Sequence, residues 1–83
     1  MTNKSWDKNR EILRELLKDL RKEESELTQV QLSNLLEKPQ SYVSKYETGE
    51  RKLDYVDISN ICRAMGISMD KLNKLYEKRL KES

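Results

Sequence analysis

Apolar residues recur every three or four positions along this chain of 83 residues, and that spacing limits what the chain can fold into. The pattern is clearest in NREILRELLKDL, where one stripe is formed by Ile12, Leu13, Leu16, Leu17 and Leu20. This is the period of an α-helix with one buried face, and no stretch shows the alternation typical of a strand. The sequence therefore predicts an all-α protein whose first helix carries this stripe.

Capping residues mark where the next helices begin. Thr28 followed by Gln31 fits a capping box, so we expect a second helix to begin at Thr28 and to end near Glu37. Pro39 suits the first position of a third helix, because a missing N–H is tolerated there. We expect this third helix to run to about Thr48.

Two more helices follow from the same kind of signal. Gly49 can supply the left-handed residue that ends the third helix. Asp54 can cap a fourth helix that Gly66 closes, and Ser68 can cap a fifth that spans about 68–81. The sequence thus predicts a compact bundle of about five helices, in a single domain over residues 1–83.

The composition argues against an enzyme. Histidine is absent and Cys62 is the only cysteine, so neither a zinc site nor a Ser–His or Cys–His pair can be built. The only two glycines, Gly49 and Gly66, do not form a phosphate-binding loop. We expect no catalytic activity, metal or cofactor, although a carboxylate-only enzyme is left open. The single cysteine suits a reducing cytoplasm, and no apolar run has the length of a membrane span.

The third helix has two unlike faces when it is drawn as a wheel of about 100° per residue. The face opposite Tyr42, Val43 and Tyr46 is wholly polar and carries no acidic residue: it holds Gln40, Ser41, Ser44, Lys45 and Thr48. Amide, hydroxyl and ammonium groups can hydrogen-bond the edges of bases, and the absence of acid avoids repulsion by DNA. The simpler alternative is a solvated face.

The segments on either side of this helix favour DNA. A short capped helix and a tight turn precede it, which is the plan of a helix-turn-helix. Arg51 and Lys52 follow it directly, in a loop where they could meet phosphate.

LTQVQLSNLLEKPQSYVSKYETGERKL resembles the helix-turn-helix of the phage repressor/Cro-like (XRE-type) family, and the resemblance continues through AMGISMDKL. It implies a lambda-repressor-like fold with the motif at about 28–48, and a transcriptional regulator that reads the DNA major groove, usually as a dimer on a palindromic operator. Together with the polar face, it implies base reading by Gln40, Ser41, Ser44 and Lys45. It implies phosphate contacts by Gln29, Tyr42, Thr48, Arg51 and Lys52.

The sequence departs from the family pattern around the turn. Ser33 stands where the family usually has alanine, and Lys38 replaces an apolar turn residue. Glu37 occupies a position usually held by glycine, where a left-handed backbone would cost a glutamate about 1 kcal/mol. The stretch 23–26 is one residue longer than usual.

Glu47 is the one charge on the inward face of the third helix, so it needs a partner. If one inserted residue is allowed, the alignment with the family makes Arg21 the matching basic position. We therefore expect an Arg21–Glu47 ion pair that ties the first helix to the third.

Two questions stay open from the sequence. A net charge of only +2 leaves room for a protein-interaction module on the same fold, such as an antitoxin or a partner of polymerase or a sigma factor. The fifth helix carries a stripe of Met69, Leu72, Leu75, Tyr76 and Leu80. Either the whole stripe covers the core and the chain frays from Lys78, or Tyr76 and Leu80 join two copies in a homodimer.

Overall fold

The computed structural model describes residues 4–83, and within them the chain is all-α, as the sequence predicts. Five α-helices and one π-helical turn, with no strand among these residues, make up the bundle. They are α1 (Lys4–Asp19), the π-helical turn (Leu20–Glu24), α2 (Gln29–Leu35), α3 (Ser41–Thr48), α4 (Tyr55–Met65) and α5 (Met69–Glu82).

The core lies between the apolar stripes of these helices. The first apolar stripe runs along α1 into the π-helical turn; its Leu16, Leu17 and Leu20 are buried, while Ile12 and Leu13 are half-buried. The other helices add Leu32, Val43, Tyr46, Ile61, Cys62, Met65 and Leu72. The core is thus mainly aliphatic. α3 packs against α1 and α2, α4 contacts α2 and α5, and α5 lies along α1.

The caps expected from the sequence are present. The Thr28 N–H donates to Gln31 Oε1 at 2.8 Å, and the Gln31 N–H donates to Thr28 Oγ1 at 3.0 Å, which completes the capping box. Asp54 caps α4 through the Asp57 N–H at 2.8 Å, and the Ser68 hydroxyl accepts from the Lys71 N–H at 3.1 Å. Local side-chain chemistry therefore fixes three of the helix starts.

The expected boundaries around the turn are wrong by two residues. α2 ends at Leu35, not near Glu37, because Glu37 takes a left-handed conformation with φ of 56° that cannot continue a helix. α3 begins at Ser41, not at Pro39, because residues 39–40 form a tight turn in which the Pro39 carbonyl accepts from the Tyr42 N–H at 2.9 Å. The end of α3 matches the expectation, since Gly49 has φ of 89°.

The extra residue in the stretch 23–26 has a structural counterpart. α1 continues into the π-helical turn, which overlaps the start of that stretch, and the Ser25 N–H donates to the Leu20 carbonyl at 3.0 Å. A π turn holds one more residue than an α turn, so a single insertion can be absorbed there. Glu26 then reverses the chain with φ of 53°.

Ser33 finds partners at the tight contact between α2 and α3. Its side chain is fully buried, and its hydroxyl accepts from the Val43 N–H at 3.3 Å and lies 3.4 Å from the Gln40 carbonyl. A serine can therefore replace the smaller alanine without leaving a buried hydroxyl unpaired. Within residues 4–83, no helix is both long and apolar enough to cross a membrane.

Candidate nucleic-acid interface

The structure brings the expected base-reading residues together on the outer face of α3. Gln40, Ser41 and Lys45 are exposed, and Ser44 is half-buried. Three buried side chains hold the opposite face against the core: Tyr42, Val43 and Tyr46. The outer face is thus polar, free of acid and fixed in position from behind.

Thr48 shares this face but is occupied within its own turn. Its hydroxyl lies 3.1 Å from the Lys45 carbonyl and 3.4 Å from the Glu50 carboxylate. A phosphate at this hydroxyl would also meet the negative charge of Glu50. Of the residues expected to contact phosphate, Thr48 has the least favourable surroundings.

Two cations lie over the ring of Tyr42. Lys38 Nζ is 5.5 Å from the ring centroid and Arg51 Cζ is 5.0 Å from it, distances at which a cation is attracted to an aromatic face. The ring itself is buried, and it meets the Tyr46 ring edge-on with centroids 5.7 Å apart. Tyr42 therefore positions one cation from the turn before α3 and one from the loop after it.

Burial is the main reason why the pKa of the Tyr42 phenol is raised, and Asp57 adds to the effect while Arg51 opposes it. The phenol is thus neutral at physiological pH and can donate a hydrogen bond.

Lys38 was not among the expected phosphate contacts. Residues four apart face each other along a helical turn, so this spacing from Tyr42 would predict a contact only if the chain between them were helical. The chain between them is a tight turn rather than a helix, which is why the sequence alone did not single out Lys38.

Glu47 and Arg21 form a buried, bidentate ion pair. Arg21 Nε donates to Glu47 Oε2 at 2.7 Å, and one terminal nitrogen donates to Glu47 Oε1 at 3.1 Å. The other terminal nitrogen donates to the Leu27 carbonyl at 2.8 Å. The two side chains are only 8% and 3% exposed, so the pair joins the π-helical turn to α3 inside the protein.

Gln29 belongs to the same network. Its side-chain amide donates to Glu47 Oε1 at 2.8 Å, so that carboxylate accepts three hydrogen bonds. The second N–H of the Gln29 amide has no partner in residues 4–83, so the half-buried side chain keeps one donor for a phosphate oxygen. The network fixes the start of α2 against the end of α3.

The loop after α3 is tied to the end of that helix. The N–H groups of Glu50 and Arg51 both donate to the Lys45 carbonyl, at 2.9 and 3.2 Å. Arg51 and Lys52 are exposed, and neither has a carboxylate within 4.0 Å in the described part of the chain. The loop therefore holds two uncompensated positive charges beside the outer face of α3.

A comparison with protein families identifies the fold to which this arrangement belongs. The model of the family described as Helix-turn-helix matches residues 17–72, about two thirds of the chain. The chain belongs to this helix-turn-helix family. The phage repressor/Cro-like resemblance is thereby confirmed, and the family is one of DNA-binding domains rather than of enzymes. Neither a curated protein nor a solved structure matches the chain.

Most of the apolar stripe on α5 covers the helix-turn-helix core. Leu72 is buried, and Met69, Leu75 and Tyr76 pack against the core from partly buried positions. The Tyr76 hydroxyl also lies 3.5 Å from the Asn9 carbonyl of α1. Leu80 is half-buried, and α5 is helical through Glu82, so the structure does not show the fraying from Lys78 that one of the two alternatives included.

Proposed function

We propose that this chain is a sequence-specific DNA-binding transcriptional regulator that reads the major groove with α3. One observation carries the proposal: the residues on the outer face of α3 are polar and include no acid, and cations without a carboxylate partner in residues 4–83 lie in the turn before α3 and in the loop after it. A face of this kind is complementary to base edges lined by phosphates.

Each group on the face suits a particular contact. The Gln40 amide can bond an adenine edge in two places, Ser41 and Ser44 can donate or accept, and Lys45 can meet guanine. The residues around the helix contact phosphate. Lys38, Arg51 and Lys52 do so by charge, and Gln29, Tyr42 and Thr48 by hydrogen bonds. The mechanism is steric, because a bound protein blocks or recruits polymerase at the operator.

A homodimer joined through α5 is part of the proposal. One recognition helix touches few bases, whereas two that are related by a two-fold axis read half-sites about 34 Å apart. With Tyr76 packed on the core, Leu80 and its neighbours at the end of α5 carry the contact.

A protein-interaction module is the second candidate, and two observations favour it. The net charge is only +2, and four large apolar side chains are exposed on α2 and α4: Val30, Leu35, Tyr55 and Val56. An antitoxin or a partner of polymerase could use such groups to bind another protein.

In vitro selection from random duplexes tests the proposal. A palindromic consensus whose half-sites are about one helical turn apart is expected for a dimer that reads through α3. A selection that enriches no sequence would favour the protein-interaction module, and a consensus with a single half-site would remove the dimer.

A salt series on the selected duplex separates phosphate contacts from base contacts. Arg51→Ala and Lys52→Ala should weaken binding to all duplexes alike, and each should flatten the slope of log K against log salt by about one. Lys74→Ala removes an exposed lysine on α5, away from these residues, and should leave the slope unchanged. Equal slopes for all three variants would contradict the phosphate role of the loop.

A further inference from the structure

A cleft of about 370 Å³ opens between α1, the α3–α4 loop and α4. This volume falls in the range of small-molecule sites, roughly 300–1,000 Å³. The cleft is separate from the outer face of α3, and the DNA-reading role leaves most of its lining unused.

The floor of the cleft is apolar, with Leu13, Leu17, Leu53 and Ile58. Leu17 is fully buried, but Leu13, Leu53 and Ile58 are only half-buried. A group that covered these three side chains would remove further apolar surface from water, which is favourable. The floor therefore suits the apolar part of a ligand.

The rim is positive. It carries four cations, Arg10, Arg14, Arg51 and Lys52, and two carboxylates, Asp7 and Glu11. Both carboxylates already have partners outside the cleft floor, because Asp7 faces Arg10 at 3.8 Å and Glu11 faces Lys8 at 3.3 Å.

Three of the four cations have no carboxylate within 4.0 Å among residues 4–83: Arg14, Arg51 and Lys52. An anion at the rim would thus meet three positive charges that nothing inside the described chain neutralises.

Arg14 extends from α1 to the end of α3 at this opening. Its guanidinium lies so close to Gly49 that a Cβ there would be 3.1 Å from Arg14 Cζ. Because Gly49 leaves this space, a charge from α1 reaches the loop that carries Arg51 and Lys52.

We propose that this cleft binds a small amphiphilic anion, an organic carboxylate or phosphate that carries an apolar group. The apolar group covers Leu13, Leu53 and Ile58, and the anionic group meets Arg14, Arg51 and Lys52. Since Arg51 and Lys52 also face DNA phosphates under the proposed function, on which this second part rests, the bound anion weakens DNA binding. The anion is then an effector of the regulator.

The binding step is tested without DNA, on the full chain, by ¹H–¹⁵N NMR titration with 2-naphthoate. Its neutral isostere 2-naphthamide tests the need for charge, and inorganic phosphate tests the need for an apolar group. We expect 2-naphthoate to shift the amide signals of Gly49, Leu53 and Ile58 saturably, with a Kd of about 0.1–1 mM. The two comparison compounds should bind at least about tenfold more weakly.

Arg14→Gln should weaken 2-naphthoate binding about tenfold, because one of three charge contacts is lost. Arg63→Gln is the matched control and should leave the affinity unchanged, since Arg63 does not line this cleft. Leu53→Ala tests the floor independently and should also weaken binding, with circular dichroism confirming that each variant is folded.

Three results would overturn the site: no saturable shift up to about 10 mM of 2-naphthoate, equal binding of the neutral amide, or the same loss in Arg63→Gln. If inorganic phosphate binds as tightly as 2-naphthoate, the rim is a plain phosphate site, such as one for the DNA backbone, and the amphiphilic ligand is wrong.

The effector role is tested by DNA affinity at constant ionic strength, with acetate replacing 2-naphthoate in the control. Saturating 2-naphthoate should weaken operator binding at least about fivefold, and a smaller effect at the same concentration is expected in Arg14→Gln. Cleft binding without any change in DNA affinity would overturn the effector role. A chain that binds no DNA would defeat the proposed function instead, and the NMR titration would still decide the cleft.

Discussion

Charged groups on the inner side of α3 have partners within the protein, whereas cations on the outer side have none in residues 4–83. On the inner side, each nitrogen of the Arg21 guanidinium donates to an acceptor within the fold, and Glu47 is almost fully buried. On the outer side, Lys45, Arg51 and Lys52 are exposed and have no carboxylate within 4.0 Å in residues 4–83. The same kind of charge is therefore structural where the fold supplies acceptors, and available to a ligand where it does not.

This difference separates stability from binding. A substitution on the inner side removes hydrogen bonds that the fold has already made, so it changes the free energy of unfolding. A substitution on the outer side removes contacts that form only with a ligand, so it changes affinity and leaves the fold within about 0.5 kcal/mol. A variant that changes both the free energy of unfolding and the affinity would not distinguish the two sides.

The largest effect is expected from Glu47→Ala. It leaves the Arg21 guanidinium buried without its counter-charge, and it also removes the acceptor of the Gln29 amide. The loss in free energy of unfolding should be about 3–5 kcal/mol, measured by urea denaturation.

Glu50→Ala is the control for Glu47→Ala, because Glu50 is exposed on the next loop and should change stability by less than about 0.5 kcal/mol. A loss below about 1 kcal/mol for Glu47→Ala would mean that Arg21 escapes to solvent, and the inner side would then be no more rigid than the outer one.

Gln40→Ala is the sharpest substitution on the outer side. The Gln40 side chain is exposed and makes no hydrogen bond within residues 4–83, so stability should hold. Binding to the selected operator should fall by about 1–3 kcal/mol at particular base pairs, with relaxed preference there. Repeating the selection with this variant measures the preference directly.

The control for Gln40→Ala is Asn73→Ala, an exposed amide on α5 that should alter neither affinity nor consensus. If the consensus of Gln40→Ala equals that of the original chain, the outer face of α3 is not the part that reads bases.

The inner side could be predicted further from the sequence than the outer side. Glu47 falls on the buried face of a predicted helix, and a buried charge requires a partner. The alignment with the family implied that this partner is Arg21. The caps at Thr28, Asp54 and Ser68 depend on side chains within three residues of one another, and such local chemistry is legible in the sequence.

The features that could not be predicted from the sequence depend on contacts between distant segments or on unusual backbone conformations. α3 begins two residues later than the sequence predicts because residues 39–40 form a turn. The π-helical turn could not be predicted because no residue type marks it in the sequence. Lys38 over Tyr42 and Arg14 against Gly49 need the folded geometry. The apolar stripe on α5 could be predicted from the sequence, but the part of it that α1 covers could not.

One polar group on the inner side of α3, the hydroxyl of Tyr46, lacks the partner that the other buried groups there have. Tyr46 is fully buried, and its OH has no hydrogen-bond partner within residues 4–83. Because an unpaired buried hydroxyl is unfavourable, Tyr46→Phe should stabilise the fold by about 1 kcal/mol in thermal or urea unfolding. Tyr55→Phe, at an exposed tyrosine, should be neutral. Destabilisation by Tyr46→Phe would show that this hydroxyl does have a partner.

The same hydroxyl gives a pH dependence. Burial, with the charge of Glu47, raises the pKa of Tyr46 above that of a free phenol. Below about pH 10 the phenol is neutral in both the folded and the unfolded chain, so it adds no pH dependence there. Above that pH only the unfolded chain ionises, so stability falls as pH rises. Tyr46→Phe should therefore gain more over the original chain at alkaline pH than at neutral pH.

The smallest effect is expected at Glu37, in the turn that leads from the inner network to the outer face of α3. Its φ of 56° strains a residue with a side chain, whereas glycine takes this conformation freely. Glu37→Gly should stabilise the fold by about 0.5 kcal/mol, because relief of strain exceeds the extra entropy of an unfolded glycine. Glu77→Gly, inside α5, carries the same change without strain to relieve and should lose about 1 kcal/mol. If both variants lose stability alike, the turn holds Glu37 through its side chain, and the left-handed backbone is a consequence of that contact.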